Sequence, residues 1–194
     1  MISACLPPTP LVAYLFLVRL HVNLVDLSWS FTAAVILHNV EEALFLPSWS
    51  EQARRWYSPV SKGAFRFTAA VVSLAFVILT LAASLETAST PVRYLFAGYV
   101  VAMLVNAAIP HLVVTVALRR YMPGTITAWL LVVPTGCLYL WSAVQTSAVE
   151  VRTLLWVGPL VALCLLATIP VLFRLGRHLF PRSHQAQACS LTKR

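Results

Sequence analysis

Residues 31–46 read FTAAVILHNVEEALFL, and this stretch decides the fold. Both of its ends are apolar enough for a membrane-spanning helix, yet His38, Glu41 and Glu42 stand in the middle. A charged group near the centre of a bilayer costs from roughly 3 to more than 10 kcal/mol. Such a dense group of ionisable side chains therefore predicts a polar site inside a membrane protein.

The whole chain has the composition of an integral membrane protein. Of its 194 residues, 60% are hydrophobic and 10% are charged, whereas globular domains contain about 25% charged residues. Its mean hydropathy is +0.83, and its apolar runs lack the period-two alternation of barrel strands. We therefore expect an all-α, polytopic membrane bundle in a single folded unit.

Five apolar runs of about 20 residues have the length needed to cross ~30 Å of hydrocarbon. They are Ser28–Leu46, Ala64–Ser84, Arg93–Leu118, Thr125–Gln145 and Thr153–Phe173. Residues 1–27 add a possible sixth helix, spanning or interfacial, because charged residues interrupt their apolar sequence. The predicted organisation is an N-terminal helix over 1–27, a five-helix catalytic bundle over 28–173 and a basic cytoplasmic tail over 174–194.

Basic residues gather on one side of the predicted bundle. Most of the 14 Lys and Arg residues follow the first, third and fifth spans: Arg54, Arg55, Lys62, Arg66, Arg119, Arg120, Arg174, Arg177, Arg182, Lys193 and Arg194. The positive-inside rule predicts a multi-pass protein of the inner membrane with a cytoplasmic C-terminus. We assign the net charge of +8 to topology and to anionic lipid headgroups, and we expect no nucleic-acid partner.

The candidate site starts with three side chains on one helix face. His38, Glu41 and Glu42 share a face because positions i, i+3 and i+4 of a helix lie together. Two adjacent carboxylates cannot both stay charged in a low dielectric, so one must take a proton or a cation must bind. The sequence therefore predicts chemistry at these residues and not a structural role alone.

The third span adds Asn106 and His111 to the candidate site. Counted from Trp49 and Arg119, the groups of both spans lie within a few Å in depth, because a helix rises 1.5 Å per residue. All five polar side chains are therefore predicted to meet in one layer of the bundle. Pro110 lacks a backbone N–H, so we also expect a kink in the helix beside His111.

These motifs resemble those of a bacterial membrane protein family named for its HXXEE motif. The resemblance covers about residues 29–134 and rests on His38-x-x-Glu41-Glu42 with Pro47-x-Trp49, on Asn106 and His111, and on the loop RRYMPGT at 119–125. The resemblance implies a multi-pass membrane protein and supports this choice of residues, but it implies no particular reaction.

The leading functional hypothesis is acid–base catalysis on a lipophilic substrate. Glu41 and Glu42 would act as acid and base, and His38 and His111 as base or orienting group. Aromatic residues form 11% of the chain and could shield a carbocation from water. An isomerase or cyclase acting on a prenyl, terpenoid or polyketide-like lipid, with no cofactor, is the reaction class this predicts.

Two alternatives remain open at this stage. In the first, His38, Glu41, Glu42 and His111 provide ligands for Zn²⁺ or Fe in a metal-dependent hydrolase or oxidoreductase. In the second, the chain is a proton-coupled carrier or lipid-binding protein without enzymatic activity. Under any of these hypotheses, Asn106 and Tyr121 are candidate substrate-binding residues. The sequence does not define an oligomeric state.

Overall fold

The chain is described here by a computed structural model, which covers residues 23–56, 58–85 and 87–181. Within these ranges all regular structure is helical, and there are five long helices. They are α1 Leu24–Gln52, α2 Lys62–Ser84, α3 Thr90–Leu118, α4 Thr125–Gln145 and α5 Val151–Leu179. Helices α2 to α5 are long and apolar enough to cross a membrane. The predicted all-α membrane class is therefore confirmed.

Several helix ends differ from the predicted ones. Helix α1 begins at Leu24, so residues 24–27 form its first turn and not part of a separate N-terminal helix. Asn23 caps this turn through a side-chain oxygen that accepts the Val25 N–H, and this cap explains the early start. Helix α1 also continues through Pro47 to Gln52. The rest of the predicted N-terminal helix lies outside the described residues.

The predicted basic tail is also partly helical. Residues 174–179 continue α5 by almost two turns beyond the predicted end of the span. Arg177 and His178 lie in its last turn, where positive charge stabilises the negative end of the helix dipole. Residues 182–194 of the predicted tail lie outside the described part of the chain.

Large apolar side chains cover the outer surface of the helix bundle. Leu130 and Leu155 are each 69% exposed, and Trp156 is 79% exposed. A soluble monomer rarely exposes contiguous apolar surface on this scale, because its hydration is unfavourable. The exposed apolar surface and the four long apolar helices are those of a multi-pass membrane protein.

Aromatic packing and glycines hold the helices together. Phe76 of α2 stacks on Tyr99 of α3 with ring centroids 3.9 Å apart, and buried Phe31 of α1 meets Phe76 edge-on. Helices α3 and α5 approach closely because each presents a glycine to the other, Gly98 beside Val161 and Gly158 beside Val101. This packing fixes α3 against α1 and α5 and so positions the polar residues described below.

Helices α3 and α4 each contain a π-helical segment. In α3 it runs over Ala107–Val113 and includes Pro110 and His111. The predicted kink at Pro110 thus takes the form of a wider helical turn, which accommodates the missing N–H. In α4 the π-helical segment covers Ala128–Val132, just after the short connection from α3.

One end of the bundle, which we call the basic end, carries positively charged loops. The α1–α2 connection places Arg55 against Trp56, and Arg120 of the α3–α4 connection lies over the same ring at 5.8 Å from its centroid. The two connections therefore meet. The polar residues predicted from the sequence lie in the half of the bundle next to this end.

Candidate functional site

Three ionisable side chains converge between α1 and α3. Glu42 Oε1 lies 3.2 Å from Nε2 of His111, and Glu42 Oε2 lies 3.8 Å from Nε2 of His38. One ligand atom from each residue lies within 4.8 Å of the other two. Both histidines are almost completely buried, while 16% of the Glu42 side chain is exposed. We call His38, Glu42 and His111 the His–Glu cluster.

Hydrogen bonds assign the tautomer of His38. Its Nδ1 lies 3.1 Å from the Gly124 carbonyl oxygen and 3.2 Å from Thr127 Oγ1. The Thr127 hydroxyl donates its proton to Glu41, so both neighbours of Nδ1 act as acceptors and Nδ1 carries the hydrogen. His38 Nε2 therefore presents a lone pair, and this buried atom has no hydrogen-bond partner among the described residues.

Asn106 contacts the second histidine of the cluster. Its Nδ2 lies 3.4 Å from Nε2 of His111, so the amide donates to that nitrogen when it carries a lone pair. The other ring nitrogen, Nδ1, is buried without a hydrogen-bond partner in the described part of the chain. The rings of His38 and His111 meet edge-to-face with centroids 4.8 Å apart. Four of the five side chains predicted to meet, those of His38, Glu42, Asn106 and His111, therefore lie together.

Glu41 occupies a different environment from its neighbour Glu42. Its Oε1 accepts the Gly124 N–H at 2.9 Å and the hydroxyl of Tyr121. Its Oε2 accepts the Thr127 hydroxyl at 2.6 Å and the Thr127 N–H at 3.4 Å. A carboxylate with four donors is stabilised in its charged form, and here it also caps the positive end of α4. Glu41 thus holds the α3–α4 connection.

The side chains of the two glutamates therefore contact different groups, although the residues are adjacent in the sequence. Glu42 joins the histidines, and Glu41 binds backbone and hydroxyl groups at the start of α4. The expectation that the two carboxylates compete for one proton or share one cation assumed that they point the same way. Successive helical residues are 100° apart, which is enough to direct them to different helices.

Gly124 covers the His–Glu cluster. Its φ of +94° lies in the left-handed region that favours glycine. A Cβ at this position would lie 2.6 Å from Cε1 of His111 and 3.0 Å from both Cε1 of His38 and Cγ of Glu42. A side chain at residue 124 would therefore collide with all three members of the cluster.

An elongated cavity begins at Glu42 and lies mainly between α2, α3 and α5. It has a volume of about 420 Å³, within the range of small-molecule pockets. Asn39, Glu42 and Asn106 provide polar groups in its wall, and most other lining side chains are apolar. The side-chain N–H of Asn39 donates a hydrogen bond to Ser73 Oγ at 2.9 Å, and this bond fixes the side chain. The cavity gives Glu42, but not Glu41, access to an apolar ligand.

Tyr121 lies in the connection between the spans and not in this cavity wall. Burial raises the pKa of its phenol to about 12, and the hydrogen bond to Glu41 and the charge of that carboxylate add to the increase. The phenol is therefore a neutral donor at physiological pH. In this structure Tyr121 serves the Glu41 network, and its predicted role in substrate binding stays a prediction.

Comparison with known sequences identifies the family. A family described as "Protein of unknown function with HXXEE motif" matches residues 29–139, which is more than half of the chain. The chain belongs to this HXXEE family. The match covers the predicted stretch 29–134, so the resemblance drawn from the motif residues is confirmed. Within the HXXEE motif, the histidine and the second glutamate belong to the cluster, and the first glutamate holds the connection.

A relative of this HXXEE protein comes from Bacillus subtilis (strain 168). It is the "Uncharacterized protein YrkK", and it is 32% identical over 151 residues. The alignment covers 78% of this chain and 96% of the relative. No solved structure matches the chain.

The His–Glu cluster fits a divalent metal ion in ligand type, and one ligand atom from each residue lies within 4.8 Å of the other two. The separations of 3.2 and 3.8 Å involve the two different oxygens of Glu42, and they bracket the roughly 3.3–3.6 Å between neighbouring ligands of a tetrahedral ion. In metal-bound histidines the N–H of the second ring nitrogen commonly donates a hydrogen bond to a carbonyl group, as that of His38 does to Gly124. The unpartnered Nε2 of His38 is the atom that would coordinate.

Sequence reasoning missed two residues of this site. Gly124 belongs to the loop motif, but its Pro-Gly sequence indicates only a turn. Thr127 carries no signal, because a lone threonine in an apolar helix is common. The spatial approach of α4 to α1 makes both of them neighbours of His38.

Proposed function

We propose that the protein is a membrane-embedded, metal-dependent enzyme that acts on a lipophilic substrate. One observation carries the proposal: Nε2 of His38, Nε2 of His111 and the Glu42 carboxylate converge beside an apolar cavity. Two imidazoles and one carboxylate bind Zn²⁺ with an open position in hydrolases, or Fe(II) in oxygenases. A bound ion would supply Lewis acidity at the polar part of the cavity.

The protein's own residues have distinct roles in this proposal. His38, Glu42 and His111 hold the ion, and Gly124 fixes the orientation of His38 through its carbonyl group. Asn106 Nδ2 lies 3.4 Å from the Nε2 of His111 that would hold the ion, close enough to bind a polar group of the substrate beside it. Glu41 acts through the α3–α4 connection and is a positioning residue, since it lies with the donors at the start of α4.

We also propose a topology, which concerns α1 and the orientation of the chain. We propose that α1 crosses the membrane as a fifth span, because it packs within the bundle and its polar groups meet partners from α3 and α4. The charge distribution supports an inner-membrane protein with a cytoplasmic C-terminus. The His–Glu cluster would then lie in the cytoplasmic half of the bilayer, and the basic loops would contact anionic headgroups.

Metal content tests the proposal directly. Detergent-purified wild type, Glu42→Gln, His111→Asn and the control Glu51→Gln would be analysed by plasma mass spectrometry. We expect near-stoichiometric Zn or Fe in the wild type and in Glu51→Gln, because Glu51 pairs with Arg54 on the surface. Glu42→Gln and His111→Asn should lose the metal. A wild type that neither contains metal nor binds added Zn²⁺ or Fe²⁺ would contradict the proposal.

Acid–base chemistry is the second candidate function. The contact of 3.2 Å between Glu42 and His111 supports it, because the pair can exchange a proton beside the apolar cavity. In this acid–base mechanism Glu42 and the histidines would transfer protons, and Glu41 would keep its capping position at α4. Conversion of a prenyl or polyketide-like lipid by metal-free protein, abolished in Glu42→Gln and kept in Glu51→Gln, would establish an isomerase or cyclase of this kind.

A further inference from the structure

The cavity beside Glu42 is long. On α3 its lining runs from Tyr99 to Pro110 and on α5 from Ala162 to Phe173, and each stretch covers about 16 Å along the helix axis. Its volume of about 420 Å³ lies towards the small end of ligand pockets, which reach about 1,000 Å³. An elongated slot of this size suits one extended chain.

The slot is polar towards one end. Glu42 belongs there because it touches His111, the residue that follows the last lining position on α3. The aromatic rings of Phe65 and Phe173, 5.9 Å apart, form the floor on the side of the basic end. The opposite part is lined by apolar groups including Val72 and Ala162. A ligand with one polar head and one apolar tail matches this distribution.

We propose that the slot binds a single-chain lipid with its head at Glu42 and Asn106 and its tail directed towards Tyr99. This inference rests on the proposed function for the role of Glu42, but it names the substrate class from the shape of the cavity. The lining covers about 16 Å along the helix axis, which matches an extended chain of about 13 carbons at roughly 1.25 Å per methylene. The length of the slot then limits chain length.

Substitutions in the two long walls change that limit in a defined direction. Ala162 on α5 and Ala102 on α3 both line the part of the slot beyond the polar residues. A leucine at either position adds three carbon atoms to the wall and removes the same space from the tail. Ala167 lies on α5 outside the lining and is exposed, so Ala167→Leu is a matched control.

Photo-crosslinking competition in lipid nanodiscs tests the inference. A fatty alcohol with a mid-chain diazirine serves as the probe, and straight-chain alcohols from decanol to eicosanol compete with it. We expect the strongest competition near tetradecanol, an optimum about three carbons shorter in Ala162→Leu and Ala102→Leu, and the wild-type optimum in Ala167→Leu. Cholesterol should not compete, because a rigid fused-ring molecule differs in shape from an extended chain.

Several results would overturn the inference. They are competition without a chain-length optimum, equal optima in Ala162→Leu and Ala167→Leu when both variants elute as folded protein, and effective competition by cholesterol. Metal content measured on the same preparations reports separately on the proposed function, since neutral alcohols need no ion to fill an apolar slot. A chain-length optimum in protein that neither contains metal nor binds added Zn²⁺ or Fe²⁺ would support the lipid site and contradict the metal centre.

Discussion

The backbone of Gly124 packs directly against the imidazole of His111, so close that a Cβ would lie 2.6 Å from the ring. The same residue accepts a hydrogen bond from His38 and donates one to Glu41. The loop glycine thus connects both histidines with the first glutamate of the motif. It joins α3 and the start of α4 to α1, whose bonded residues lie more than 80 positions earlier in the sequence.

We expect Gly124→Ala to disrupt the site. The left-handed backbone costs about 1–2 kcal/mol for a residue with a Cβ, and the contact with His111 must also be relieved. The thermal midpoint in detergent should fall, and the affinity for Zn²⁺ or Fe²⁺ should drop about tenfold or more. Gly158→Ala is the control, since the three atoms nearest to its Cβ would all belong to the Val101 side chain, the closest at 3.1 Å. Equal behaviour of the two variants would contradict this role of Gly124.

Glu41→Gln should lower stability and leave metal content unchanged. The amide loses one acceptor oxygen and the charge that caps α4, which predicts a loss of about 1–3 kcal/mol in the free energy of unfolding. The thermal midpoint and the bound metal would be measured on the same sample. Glu51→Gln, on the same helix, should change stability by less than about 1 kcal/mol because its ion pair is exposed. Loss of metal in Glu41→Gln at an unchanged thermal midpoint would make Glu41 a ligand.

Titration of the Tyr121 phenol should make the α3–α4 connection depend on pH. Its pKa is raised to about 12, first by burial and then by Glu41. Because the folded value exceeds the ordinary value of about 10, the bond to Glu41 is fully present below pH 10 and is lost as the pH rises through 12. The phenolate absorbance of the wild type, after subtraction of that of Tyr121→Phe, should show this titration. In Glu41→Gln the midpoint of the titration should move towards pH 10. A midpoint near pH 10 in the wild type would argue against the contact between Tyr121 and Glu41.

The sequence was sufficient to predict the helical membrane class and the level at which the polar side chains of α1 and α3 meet. Hydrophobic length identifies spans because backbone groups in lipid must bond within the helix. Counting residues from the membrane boundaries placed Asn106 and His111 level with His38, and the structure has these side chains in contact. Helix ends were less predictable, since Asn23 extends α1 through a local cap.

The orientation of individual side chains could not be predicted from the sequence. The groups that Glu41 contacts depend on where α4 begins, and the position of α4 is set by its packing against α1. The same packing gives the loop glycine and Thr127 their contacts with His38. A helical wheel of α1 alone treats the two glutamates as equivalent, because it contains no information about neighbouring helices.

The bonds of His38 reach residues 86 and 89 positions later in the chain, and this distance bears on how the protein is made. During synthesis α1 reaches the membrane long before Gly124 and Thr127 exist, so its polar side chains have no partners when it first meets lipid. Helix α1 is also absent from the four helices that are apolar enough to insert by hydropathy alone. We therefore expect α1 to stay with the insertion machinery, or at the bilayer surface, until α4 has been translated. Nascent chains that end before the α3–α4 connection should leave α1 accessible to water-soluble thiol reagents at an introduced cysteine, and full-length chains should protect it.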